Sequence, residues 1–517
     1  MAWLTPSDRA APSRRDAPGV FFLRVMLMFL LAYTTWAWAG LRPSFHWVAV
    51  AVAGILLAGF FAQGRGEAWR VARRDPVLYL GLAFLLFLAV QWANAGRARY
   101  FDVGHQRWMY MPPRWPGWPS AFAQADALQM LTWFFPAWAI AVVIRSRKLD
   151  RRALRRLMTF VACNAGLLAI FGLLQLAHGG GAIYWVQPLK SHFFASFAYG
   201  NHAGPFFVLA GAVAAGLLYR EVFDVRCSSP ERPSVSRLCH PWRVAVLIPM
   251  LVLCLVGANL GFSRAGVILA GALTVFVVAY GGFRSWRKLS AASRLNFAAL
   301  SLAALGGLYF TVVALGETGI RREFMPPDAV GGADEAETAR LHLDLGARPR
   351  FLRAAVDIWR GHPWFGAGGW GFRYLVAEHV PEELWPALER RGWANVHCDL
   401  LQFLVEFGLV GFGLLAGAAG VMVREALGRQ CRRDSIWIMG MAGLGLVVVF
   451  SLVDLPFRCP AILFTWVALL AALPRICQNP GSGTPATPVA ALSPGKRNGW
   501  NPRPSAEGGP GPGRIHA

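Results

Sequence analysis

Arg360-Gly-His-Pro-Trp-Phe-Gly-Ala-Gly-Gly-Trp-Gly371 sits inside a polar stretch, residues 317–397, that interrupts a chain otherwise built of bilayer-length apolar runs. The stretch holds ten arginines. A basic, aromatic, glycine-rich loop between two spans has the composition of a site at the water–lipid boundary. It suits an anionic, lipid-linked substrate.

Outward from that loop the sequence is membrane-like. Of 517 residues, 56% are hydrophobic and 15% charged, against about 25% charged in soluble domains. Runs long enough to cross a hydrocarbon core of about 30 Å fall near 20–40, 46–62, 77–93, 127–144, 157–177, 203–219, 244–262, 265–282, 296–316, 399–423, 435–453 and 460–474. They predict an all-α, polytopic integral membrane protein of twelve transmembrane helices with one large helical outer loop.

Arginine placement orients the chain. Arg145–Arg156 holds seven basic residues, and Gln63–Pro76, Arg220–Arg243, Phe283–Arg294 and Arg424–Asp434 hold four or five each. These loops alternate, so the positive-inside rule makes them cytoplasmic together with both termini. The 317–397 loop and Asn94–Asp126 then lie outside. A net charge of +23 and a pI near 10.7 also suit anionic membrane lipids. Nucleic acid is not the expected partner, because the basic residues are divided among short inter-helix loops. Arg9, Arg14 and Arg15 precede an apolar run ending in Ala37-Trp38-Ala39, which imitates a signal peptide but reads as an uncleaved first span. The eight cysteines have no disulfide or CxxC spacing, and the Pro/Gly/Ser-rich tail from residue 475 reads as disordered and cytoplasmic.

Four segments carry candidate chemistry. In Asn259-Leu-Gly-Phe-Ser263-Arg264-Ala-Gly266 a very short turn puts Arg264 at the outer interface, where a cation is costly and marks a site or a paired charge. In residues 348–360, Pro349 fits the first turn of a helix, with Arg348 at the helix start, where free N–H groups favour anions. Leu352, Ala355, Val356 and Trp359 would share its apolar face, and Arg350, Arg353, Asp357 and Arg360 a polar stripe. Gly366-Ala-Gly368-Gly-Trp370-Gly371 formally matches GxGxxG but has no flanking βαβ unit. It reads as a tight turn packing aromatics against the membrane. In Asn395-Val-His397-Cys-Asp399-Leu-Leu-Gln402-Phe-Leu-Val-Glu406-Phe-Gly408-Leu-Val-Gly411, His397 opens the tenth span. Asp399, Gln402 and Glu406 share one face of it. A histidine there can accept a proton near neutral pH or bond a carbonyl. The histidines lack HxxxH and HExxH spacing, so no metal is expected.

In order and spacing these segments resemble the O-antigen ligase/polymerase family of bacterial inner-membrane glycan-transferring enzymes, over roughly Ser196 to Leu473. Ser196-Phe-Ala-Tyr-Gly-Asn201-His202-Ala-Gly is similar to the family's Asn-x-Asn-x-Ala-Gly region, and Ser263-Arg264-Ala-Gly to its Ser-Arg-Gly-Ala motif. Arg348 matches the arginine that opens the large periplasmic loop. His397–Gly411 resembles the His-Asn-x-x-Leu-Gln-x-x-x-Glu-x-Gly block, and Leu452-Val-Asp454-Leu-Pro456 the penultimate periplasmic turn. Cys398 stands where Asn is usual and Leu352 where Trp is common.

The resemblance implies a GT-C-like membrane fold and an O-antigen ligase-like glycosyltransferase without a cofactor. It would move a glycan from an undecaprenyl-diphosphate-linked donor to a hydroxyl of a glycan, lipid A–core or protein acceptor at the periplasmic face, with inversion. Arg264, Arg348 and His397 would be catalytic, His397 as base or as orienting donor. Arg350, Arg353, Asn201, His202, Asp399 and Glu406 would join Arg264 and Arg348 in binding substrate. The implied organisation is a cytoplasmic segment 1–19, N-terminal spans over 20–195, a ligase-like domain over 196–474 and the tail 475–517. A transporter or flippase for an anionic lipid-linked or small solute is the alternative, against which stands the single asymmetric outer loop.

The arginine pattern makes a direct prediction. Reporter fusions after Ser228 and Ser290 read cytoplasmic and a fusion near Asp334 reads periplasmic, and a cytoplasmic signal near Asp334 would overturn the orientation.

Overall fold

The computed structural model describes residues 17–63, 66–97, 99–104, 107–178, 181–189, 193–224, 240–261, 263–286, 306, 335–382, 385, 388, 395–428 and 434–476. The chain is an all-α polytopic membrane protein. Its helices are α1 Pro18–Trp36, α2 Pro43–Ala62, α3 Glu67–Ala72, α4 Pro76–Ala93, α5 Gln124–Arg145, α6 Arg151–Ala177, α7 Gly200–Tyr219, α8 Pro241–Asn259, α9 Arg264–Trp286, α10 Glu335–Gly361, α11 Phe372–Leu375, α12 Asp399–Ala426, α13 Ser435–Phe450 and α14 Pro460–Ile476. Two small hairpins, Arg99–Asp102 with Arg107–Tyr110 and Ala182–Ile183 with Gln187–Pro188, lie between helices.

Among the described residues, nine helices are long and apolar enough to cross a bilayer, and α13 and α14 are shorter apolar helices. Apart from residue 306, the expected span at 296–316 lies outside the described residues, as does the tail 477–517. Proline starts α1, α2, α4, α8 and α14, because its missing N–H is no loss in a first turn. Asp75, Asp150 and Asp434 cap α4, α6 and α13 by accepting backbone N–H groups. Helix α14 is apolar on all sides because it is the hub of the bundle: nearly every residue from Pro460 to Ile476 is buried.

Contacts sort the connections to two ends. At one end Arg145 donates to both Asp75 and Glu425 at 2.6–2.9 Å, and Arg475 donates to the carbonyls of Ile144 and Leu149. Asp224 there accepts from Arg284 at 2.5 Å and from the Ser435 N–H at 2.9 Å. At the other end Ser196 donates to the Thr35 carbonyl, Asp399 N–H to the Ser451 carbonyl at 2.8 Å, and Tyr374 to Asp126 at 2.7 Å. The loops after α4 and before α12 therefore pack on one another. They share a second apolar core of Phe122, Phe351, Ala354, Ala355, Ile358, Phe372 and Val405.

Three sequence expectations are corrected here. Pro349 is inside α10, not in its first turn. It is exposed, so water can replace the hydrogen bond it cannot make. Arg348 accordingly does not face the free N–H groups of a helix start. The apolar face of α10 is Phe351, Ala354, Ala355 and Ile358, whereas Leu352 is 38% exposed. The Arg350–Arg353–Asp357–Arg360 stripe is exposed as expected.

The third correction concerns the glycine segment, which docks through its backbone more than its aromatics. Helix α12 is broken at Gly408 (φ 61°, ψ −170°), which strips helical partners from nearby carbonyls and N–H groups. Residues 363–368 replace them. Ala367 and Gly368 donate to the carbonyls of Val405 and Glu406 at 2.8 and 2.9 Å, and Leu409 and Val410 donate to those of Pro363 and Trp364 at 2.8 and 3.0 Å. Gln91 closes the gap by donating to the carbonyls of Phe365 and Glu406. The approach leaves no room for side chains. A Cβ on Gly366 (φ 71°) would lie 2.4 Å from the Glu406 carbonyl carbon, and one on Gly408 2.4 Å from that of Trp364.

Gly408→Ala therefore combines a disfavoured backbone conformation, worth on the order of 1–3 kcal/mol, with a backbone clash. It should lower the thermal midpoint in detergent markedly, while Gly413→Ala, with open space around it, should not. Equal midpoints for the two variants would show that the break tolerates a side chain.

Candidate functional site

The site-end turns are held by short-range rules of chain geometry. Four residues join α8 to α9, and the Ser263 hydroxyl accepts the Gly266 N–H at 3.3 Å, capping α9 so that Arg264 is its first residue. Helix α7 touches α9 and the turn before it at glycines: a Cβ on Gly204 would lie 2.7 Å from the Gly266 Cα, and one on Gly261 2.8 Å from the Gly200 carbonyl oxygen. That contact brings the half-buried Arg264 alongside the first turn of α7, which carries Asn201 and His202.

Asp454 is the centre of the cluster. It lies in the turn between α13 and α14 and is 3% exposed. Asn201 Nδ2 donates to Oδ2 at 2.5 Å, Tyr199 Oη donates to the same oxygen at 3.2 Å, and His397 Nδ1 is 3.6 Å from Oδ1. The last is an ion-pair separation, longer than a hydrogen bond. His202 Nε2 lies 3.2 Å from the Leu455 carbonyl, next in the chain, with its ring edge-on to Tyr199 at 4.9 Å. Burial opposes ionisation of Asp454, yet the His397 and His202 imidazoles and the Asn201 amide hold its carboxyl below the ordinary aspartate value. Burial first, and then the Asp454 charge, push the Tyr199 hydroxyl well above the ordinary tyrosine value, an effect the Arg348 guanidinium opposes.

His397 itself has φ 56°, the left-handed region that non-glycine residues rarely occupy. The segment is held in that shape by α12. Gln402 Oε1 accepts the Val396 N–H at 2.9 Å, and Gln402 Nε2 donates to Glu406 Oε1. Asp399 Oδ2 accepts the Phe457 N–H at 2.7 Å. The shared face of Asp399, Gln402 and Glu406 thus exists, and all three are fully buried. Their polar atoms hold the 395–397 segment and the 451–459 turn. Of the residues expected at the site, the structure brings His397, Asn201 and His202 together around Asp454, sets Arg348 within electrostatic reach of Tyr199, and places Arg264 at the neighbouring helix start. Arg350 and Arg353 are exposed on α10. Among the described residues, no three His, Cys, Asp or Glu side chains converge as metal ligands.

Sequence reasoning quoted Asp454 without giving it a role and passed over Tyr199 and Arg458. The available signal was an ionisable residue at a span end beside a proline, which is costly unless partnered.

A carboxyl whose pKa falls on folding contributes stability that is complete above its unfolded value, about 3.9, and is lost as pH drops through the folded value. Asp454→Asn should therefore lower the thermal midpoint at pH 7, with the gap to the parent protein closing below about pH 4. A gap of equal size at pH 3 and pH 7 would refute the ionic role of Asp454.

Residues 249–416 match the family model described as O-antigen ligase. No curated protein matches the chain. The matched segment contains Arg264, Arg348 and His397, and with the membrane-length helices it supports a membrane glycosyltransferase-like function. Residues 249–416 are thus O-antigen ligase-like, while Tyr199, Asn201, His202 and Asp454 lie outside the matched segment.

Proposed function

We propose that the protein transfers a glycan from a polyprenyl-diphosphate donor, of the undecaprenyl kind, to an acceptor hydroxyl at the periplasmic face of the bacterial inner membrane. The observation that carries the reading is a histidine backed by a buried carboxylate, His397–Asp454, at the same end of the bundle as two arginines, Arg264 and Arg348. The acceptor oxygen attacks the anomeric carbon as the bond from that carbon to the diphosphate oxygen breaks. The leaving diphosphate takes the electron pair, and the anomeric centre inverts. Guanidinium groups are suited to that developing charge because they offer planar, two-pronged donors. With Nδ1 turned to Asp454, Nε2 of His397 is the nitrogen for the acceptor proton, and the carboxylate stabilises the imidazolium formed. Asn201, Tyr199 and His202 fix Asp454, while Asp399 and Glu406 support the turns from beneath.

The test is donor consumption by purified protein in proteoliposomes, with diphosphate-linked glycan and an acceptor. His397→Ala should reduce transfer by about 10²–10⁴ while leaving donor binding largely intact, and His397→Gln should not restore it. Arg264→Lys keeps the charge but loses the fork and should impair transfer strongly, whereas Arg360→Ala, exposed and paired with Asp357, should matter far less. Chelators should leave turnover unchanged. Wild-type turnover by folded His397→Gln would eliminate the base role, and movement of donor across the bilayer without its consumption would favour a flippase.

A further inference from the structure

Arg458 follows Asp454 by four residues and points the other way, into the protein. It is 3% exposed, and Nη2 donates to Glu406 Oε2 at 2.5 Å. Its guanidinium carbon lies 4.7 Å from the Trp370 ring centroid and 4.9 Å from that of Phe403. Nη1 reaches Met130 Sδ at 3.3 Å. One side chain therefore touches the glycine segment, the broken helix α12 and α5 at once. Its ionic partner continues the chain of contacts: Glu406 Oε1 accepts from Gln402, and Gln402 accepts the N–H of Val396, the residue before His397.

We infer that Arg458 is a positioning residue for the His397–Asp454 pair, acting through Glu406 and Gln402; this rests on the transferase reading above. Two physical arguments separate it from a mere core contact. His397 holds a backbone conformation that persists only where its surroundings over-determine it, and the Val396–Gln402–Glu406–Arg458 chain restrains it on its N-terminal side. A buried ion pair is also a poor source of net stability, since an apolar pair of similar volume often serves as well. Its worth lies in direction: the charge-assisted bond and the two ring faces fix the guanidinium, and with it the turn bearing Asp454, relative to α12. Misplacing a reacting group by about 1 Å can cost 10²-fold in rate.

The experiment compares wild type, Arg458→Lys, the double variant Arg458→Met/Glu406→Met, and Gln402→Met in proteoliposomes supplied with a polyprenyl-diphosphate-linked glycan. The double variant removes both charges and so avoids stranding one. Gln402→Met keeps the ion pair but cuts its link to Val396, and serves should the double variant fail to fold. Both should lose about tenfold or more in kcat with donor KM within about twofold, while Arg458→Lys, which keeps the charge, falls between them and wild type. Wild-type kcat in either folded variant would overturn the inference. A second readout does not need turnover: labelling of the half-buried Cys398, beside His397, by a membrane-impermeant maleimide, followed on its own peptide by mass spectrometry. Labelling should accelerate several-fold in both variants; an unchanged rate counts against positioning even if no donor is consumed. Absence of turnover in wild type would instead sink the transferase reading and leave the labelling result to judge Arg458.

Discussion

A broken helix in a membrane protein must have its freed backbone groups satisfied by protein, since hydrocarbon offers no partner and each orphan costs several kcal/mol. At Gly408 the partner is the main chain of residues 363–368. The match is backbone to backbone, so it imposes glycine at 366 and 408 and fixes how deeply the preceding loop enters the bundle. Once that depth is set, Trp370 is buried against Arg373 and Arg458, α11 packs over Phe122 and Val405, and the chain returns to His397 at the start of α12. The geometry of the site end is downstream of this one docking.

The charges are arranged in two layers. Beneath the surface Glu406, Arg458, Gln402 and Asp399 are wholly or almost wholly buried and bonded to each other or to turn backbone. Above them His397, Asn201 and Tyr199 are partly exposed, with Asp454 buried behind them. Desolvation is tolerable in the lower layer because nearly every polar atom has a partner there, the condition under which buried networks give a unique arrangement. Asp399 Oδ1 and Arg458 Nε are exceptions among the described residues.

Periodicity and charge made much of the fold legible. Apolar runs, proline at helix starts and arginine in alternate loops are local signals, and eleven of the twelve expected spans fall on helices of the structure. The Asp399–Gln402–Glu406 face was equally visible, because α12 carries all three residues before its break. What stayed hidden depends on pairings between distant segments. Asn201 and Asp454 are separated by 253 residues, and nothing local marks either as the other's partner. Gly366-Ala-Gly368 reads as a turn until Gly408 is known to break its helix. Pro349 misled for the opposite reason: a strong local rule for helix starts was overridden by a helix that continues through an exposed position. The apolar face of α10 was misassigned by one position along its length, and the burial of Phe351, Ala354, Ala355 and Ile358 instead follows from the second core, which no stretch of α10 alone defines.

Both ends of the bundle pair arginines with carboxylates inside the protein, Arg458 with Glu406 and Arg373 with Asp126 at the site end, and Arg348 departs from that pattern. At the end with the short basic loops, Arg145 is bracketed by two carboxylates and Arg284 and Arg243 each have one. Those pairs satisfy their cations inside the protein and tie helices together. At the site end Arg348 has a buried Nε with no hydrogen-bond partner among the described residues, and the buried carboxylate Asp454 is already taken up by Asn201, Tyr199 and His397. A cation whose neighbouring carboxylate is occupied keeps its affinity for an outside anion, because no internal ion pair has to be broken to bind one. Asp454 thus does two things at once: it faces the histidine, and by being engaged with Asn201 and Tyr199 it does not take up the charge of Arg348.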